Sequence, residues 1–164
     1  MVVYSLMGIR NNYILLTPIY LCFTLLVFAC ESQVSQCQRL MKMVDQGNNL
    51  IDKNKGYQVT TSSQLAKDLK KITQSLTRSK FQDPKLIEFN SKFATIFKTW
   101  NQQIGKASKA LGTTKAAKAS QEGRMAIKKA REEIDTSLTD AQSTAKQFDT
   151  LFKQFNDYCS SLEK

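Results

Sequence analysis

Residues 83–111 read DPKLIEFNSKFATIFKTWNQQIGKASKAL, and this stretch decides the fold. Aspartate directly before proline is a helix start. Its carboxylate accepts from the free amides of the first turn, and proline at the first helical position gives up no hydrogen bond. Beyond it Leu86, Phe89, Phe93, Ile96, Phe97, Trp100, Ile104, Ala107 and Leu111 recur every three or four residues. That spacing is one broad apolar stripe on a long helix. A stripe so rich in aromatic rings must be covered by other elements, and the chain offers helices for the purpose. It has two prolines and six glycines, too few for a turn-rich β fold.

Working upstream, Val34, Cys37, Met41, Val44 and Ile51 predict a first helix, closed at Lys53-Asn54-Lys55-Gly56 by basic residues and a cap glycine. Tyr57 to Thr61 reads as a short connection. Ser62 or Ser63 then caps a second helix carrying Leu65, Leu69, Ile72 and Leu76. Downstream, residues 112–123 have turn residues at both ends and helix formers between. A last helix follows with Ile127, Ala130, Ile134, Leu138, Ala141, Ala145, Phe148, Phe152, Phe155, Cys159 and Leu162 in 3-4 alternation, a coiled-coil-like seam. The fold class is therefore all-α. Short links predict an up-down-up-down four-helix bundle with a long projecting C-terminal helical hairpin. If Cys159 returns to the level of Asp83, the last two helices are equally long, which puts their turn near Ser120–Gly123 rather than at Gly112.

An apolar segment precedes this body. Tyr13 to Cys30, YILLTPIYLCFTLLVFAC, has no charge, with Arg10 ahead of it and Glu31 after it. The pattern is that of a secretory signal, and it is just long enough for a short transmembrane helix, a reading that Pro18 weakens. Its end, Val27-Phe28-Ala29-Cys30, resembles a bacterial lipobox, where a small residue precedes a cysteine that is lipidated and becomes the mature N-terminus. Val27 stands where leucine is usual, and Phe28 is bulky for its place. Lipidation at Cys30, an uncleaved membrane anchor and an ordinary signal peptide all remain open. All three export the body. The chain thus divides into 1–29, a signal peptide or anchor, and 30–164, an extracytoplasmic bundle.

Cys37 and Cys159 lie on inward seams, one near the start of the first helix and one near the end of the last. In an even-numbered antiparallel bundle those ends are neighbours, and export permits a disulfide between them. With two thiols, no histidine and no acid cluster nearby, no metal site is expected, and no cofactor. The absence of histidine also removes imidazole-based triads and neutral-pH switches. Glu132, Glu133 and Asp135 are read as a solvated face in which Lys128 pairs with Glu132 and Lys129 with Glu133. No nucleophile or base can be nominated, so no enzyme is expected.

The net charge is +10, and it is unevenly spread. Between Lys98 and Arg131 stand nine bases against the single acid Glu122. This predicts a basic hairpin tip, with Lys115, Lys118, Arg124 and Lys128 as candidate contacts for an anionic envelope surface or an acidic protein. A solvated Lys/Ala helix kept soluble by repulsion is the plainer reading. Nucleic acid is not the expected partner, because no stacking aromatics interleave with these lysines.

The lipobox-like Cys30, Ser-Gln-Cys-Gln-Arg-Leu at 35–40 and Phe-Asn-Asp-Tyr-Cys at 155–159 resemble uncharacterised small helical lipoproteins of cyanobacterial type. The resemblance implies a membrane-associated bundle and brings no activity. The expected function is a binding or structural module, or else an adaptor or chaperone-like coiled-coil hairpin in an envelope complex. A cavity lined by Phe89, Phe93, Trp100 and Phe148 would favour a small apolar ligand. A filled core would favour partner or surface binding.

Overall fold

Asp83 has extended backbone geometry, and its Oδ1 accepts the Leu86 amide at 2.8 Å, with Pro84 in the first helical position. The helix start read from the sequence is the observed one. The computed structural model describes residues 31–54 and 59–163, which are helical apart from short connections and contain no strand. The helices are α1 (Gln33–Lys53), α2 (Val59–Arg78), α3 (Pro84–Ala116) and α4 (Gln121–Ser161), packed as a bundle. None of the described helices is long and apolar enough to cross a membrane. The apolar run ending at Cys30 lies outside the described residues.

The core is aromatic. Phe89, Phe93, Phe97 and Trp100 of α3 meet Phe148 and Phe155 of α4, with Leu40, Val44, Leu69 and Leu76 closing the other sides. Phe93 stands edge-on to Phe155 at 5.6 Å between centroids and to Phe148 at 5.8 Å. Each such pair adds about 0.5–1.5 kcal/mol beyond the area it buries. The Trp100 ring N–H, buried with its indole, donates to the Ala141 carbonyl at 3.1 Å. Of the two alternatives for Phe89, Phe93, Trp100 and Phe148, a cavity or a filled core, the structure has the second: the rings pack on one another or on neighbouring rings, and all four are buried. This part of the core is filled.

Close backbone approach turns α1 about its axis relative to the sequence reading. Its buried face is Gln36, Cys37, Leu40, Val44 and Gly47, whereas Met41 is only partly covered. The reason is Gly47, where a β-carbon would overlap the Phe97 ring. The missing side chain lets α1 sit down on α3 and points the 40/44/47 face inward. A similar shift occurs on α4, whose buried face above the aromatic rings is Gly123, Ala130, Ser137 and Thr144. Leu138, expected inside, is half exposed. Small residues one heptad apart let α4 approach α3 and displace the larger aliphatics to the flank.

Two boundaries also differ. Helix α2 begins at Val59, not at a Ser62 or Ser63 cap, because Val59 is held from α3: its carbonyl accepts Ser108 Oγ at 3.0 Å. The α3–α4 turn spans residues 117–120, a few residues before the level found by matching helix lengths. Ser120 is the N-cap of α4, accepting the Gly123 amide at 3.1 Å, and a β-carbon on Gly123 would collide with the Lys118 carbonyl. Turn tightness, rather than equal length, sets the position.

Candidate functional site

Cys37 and Cys159 form a disulfide with their Cα atoms 5.9 Å apart, at a sequence separation of 122. Cys30 lies outside the described residues. Lys115 is in the last turn of α3, Lys118 sits in the connecting turn, and Arg124 and Lys128 follow in the first two turns of α4. All four side chains are exposed, and none takes part in an ion pair or hydrogen bond within the described residues. The one acid at this end, Glu122, has its carboxyl held below the usual range by its own backbone amide and the Ser120 hydroxyl. That places a negative charge on the free amides of the helix start, where it is favoured; Arg124 and Lys128 share a depression with Glu132 and Asp135 but form no ion pair with either. The tip is a set of open cations on a rigid turn. It can attract anions, with a strength that falls as salt rises.

The pairs Lys128–Glu132 and Lys129–Glu133 do not close. Within 4.0 Å the described residues hold Lys71–Asp68, Lys85–Glu88 and Lys92–Glu88. An exposed lysine pair gains only a few tenths of a kcal/mol against side-chain entropy, so its failure to form needs no further cause. Glu88 shows the opposite case: hydrogen bonds from Lys92 and then Lys85 hold its carboxyl down at about 2.

At the opposite end lies a polar hub that the sequence did not disclose. Asp83 Oδ2 accepts the Tyr158 hydroxyl at 2.9 Å and the Gln33 amide at 2.7 Å, while its Oδ1 caps α3. Gln36, buried beside it, accepts the Gln82 amide at 2.7 Å. Burial pushes the Asp83 carboxyl up, but the Leu86 amide, Tyr158 and Gln33 outweigh it and hold it below 3.8. Burial, then the neighbouring Asp83, raises the Tyr158 hydroxyl. The hub fastens the start of α1, the start of α3 and the end of α4 beside the disulfide, so its role is structural. Gln36 lies one turn before Leu40 and on the far side of α1 from Val34 and Met41, so an apolar stripe drawn through those two residues passes it by.

The described residues bring together no group of three or more His, Cys, Asp or Glu side chains able to hold a metal ion. No protein-family model, curated protein or solved structure matches the chain.

Proposed function

We propose that the chain is a lipid-anchored or single-pass extracytoplasmic module of the cell envelope, whose basic hairpin tip binds an anionic surface. The observation that carries this reading is the Cys37–Cys159 disulfide, since such bonds persist in oxidising compartments outside the cytosol. The apolar segment ending in Ala29-Cys30 supplies the anchor, and the exposed Lys115, Lys118, Arg124 and Lys128 supply the contact. No catalytic step belongs to the proposal. The filled aromatic core favours binding on the surface over binding within.

An up-down-up-down course accompanies this reading. It is supported by the contacts of Gln36 with Gln82, Val59 with Ser108, and Trp100 with Ala141. The hairpin projects modestly past α2. Val59 lies beside Gly112, and α3 continues four residues further to Ala116, about 6 Å at the usual rise. An adaptor role, in which the same hairpin grips a partner protein, is the second reading, favoured by the half-exposed Leu138 on its flank.

The test has two arms. Mass spectrometry of the mature protein should give an N-terminus at Cys30 carrying acyl groups; a native peptide reaching upstream of Cys30 would transfer the anchor to the uncleaved form. Replacing Lys115, Lys118, Arg124 and Lys128 with glutamine should weaken co-sedimentation with anionic liposomes, by a margin that shrinks with salt. An unchanged bound fraction at low salt would leave the tip as solvated surface.

A further inference from the structure

Helix α1 stops early. It ends at Lys53, and Asn54 turns back so that its Nδ2 donates to the Leu50 carbonyl at 2.8 Å. Lower down, α1 lies on α3 with Gly47 against Phe97. Above Asn54 the same side of the bundle holds no helix among the described residues. What is left is a groove of about 500 Å³, closed at its lower end by Asn54. Ile104, Ala107 and Leu111 of α3 line it together with Leu65 of α2 and Ile134 and Leu138 of α4. Leu138 keeps 50% of its surface in solvent. A large aliphatic so exposed, in line with Ile134 and Ala141, is an apolar edge without a partner.

The length of the groove suits a helix. Ile104 to Leu111 and Ile134 to Ala141 each span seven residues, roughly 10 Å, or two helical turns. An amphipathic helix presents apolar anchors at i, i+3, i+4 and i+7 over that same distance. Charge then selects its chemistry. The groove face of α4 continues upward through Ile127 to Arg131 and Arg124, and Lys115 stands one turn beyond Leu111 on α3. Arg124, Lys128 and Arg131 share a shallow depression with Glu132 and Asp135, an excess of one positive charge, and Lys115 and Lys118 are exposed at the end of α3 and in the turn that follows. A second copy of this chain, at +10, would bring like charge to like charge across that mouth.

We infer that this groove receives an acidic amphipathic helix of another protein, which completes the bundle above the end of α1. The inference deepens the binding-module reading and does not depend on the anchor. The occupant's apolar face covers Ile104, Leu111, Ile134 and Leu138. Its carboxylates meet Lys115, Arg124 and Arg131.

The experiment uses the full oxidised chain and two designed helical peptides with the same leucine face, one flanked by glutamates and one by lysines. Binding is read by fluorescence polarisation and located by amide chemical shifts. The glutamate peptide should bind at least about tenfold tighter than the lysine peptide, with shifts confined to Asn54, 62–65, 103–115 and 124–141; a tenfold preference corresponds to about 1.4 kcal/mol. Leu138→Glu should weaken it about tenfold, since half a leucine side chain loses its apolar cover. Leu138 is half exposed, so the fold should survive the change, and Leu138→Ala, with a smaller loss, guards against local disruption. Leu138→Glu should leave liposome binding intact. Loss of liposome binding by the tip variant alone therefore bears on the tip and not on the groove. Equal affinity for the two peptides, shifts elsewhere, or an unaffected Leu138→Glu would overturn the inference. So would self-association centred on Leu138, or an apolar dye that enters where the peptide does not.

Discussion

Replacing Asp83 with alanine removes three contacts at once. The α3 amides lose their cap, which costs about 1 kcal/mol. The Tyr158 hydroxyl and the Gln33 amide lose a charged acceptor at 2.9 and 2.7 Å. Both donors are partly exposed and regain water, so together they add roughly 1–2 kcal/mol rather than the full value of a buried charged bond. The expected loss is about 2–3 kcal/mol. Urea unfolding of the oxidised chain at neutral pH, followed by circular dichroism, should show it as a midpoint lowered by about 1–1.5 M for a slope near 2 kcal/mol per molar. Asp83→Asn keeps a capping oxygen and should cost about 1 kcal/mol. The pH dependence carries a sign. The folded carboxyl lies below its ordinary 3.8, so its contribution is present above that value and fades as pH falls through the folded one. The gap between wild type and Asp83→Ala should therefore narrow on acidification. A loss under about 0.5 kcal/mol, equal losses for alanine and asparagine, or a gap that widens in acid would refute the hub as described.

Substituting serine for both Cys37 and Cys159 opens a loop whose ends are separated by 122 positions in sequence. The chain-entropy relation assigns this about 4–5 kcal/mol, to be read as the difference in unfolding free energy from the oxidised protein; a loss below about 1 kcal/mol would contradict it. Two glycines in helices should respond with opposite sign. Gly47→Ala gains about 1 kcal/mol of helix propensity but drives a methyl into the Phe97 ring, for a net loss of about 1–2 kcal/mol. At Gly105 a β-carbon meets Ala66 Cβ at an ordinary 3.8 Å, so Gly105→Ala should stabilise by about 0.5–1 kcal/mol in the same assay.

The sequence by itself determined the element types and their order, because these depend on local chemistry that survives any packing. Asp83 before Pro84 supplies a cap and a first helical residue, and the 3-4 recurrence of Phe89, Phe93, Phe97 and Trp100 that follows commits one face to the interior. The partnership of Cys37 with Cys159 was legible too, since an even number of antiparallel helices brings the first and last ends together. So was the location of the excess charge, in lysines and arginines that stay in water whatever the bundle does. Tertiary structure alone decided which neighbouring residue faces inward. Gly47 against Phe97 on α1, and the buried small residues Ala130, Ser137 and Thr144 on α4, rotate their helices by a fraction of a turn toward small side chains. Periodicity counts apolar residues and assigns no weight to a backbone that can come close. For the same reason the buried Gln36 and the exposed Leu138 exchange their expected places. The groove above Asn54 is likewise a tertiary fact: it exists because α1 ends below the level that α2, α3 and α4 reach, and no single segment of sequence records that difference in height.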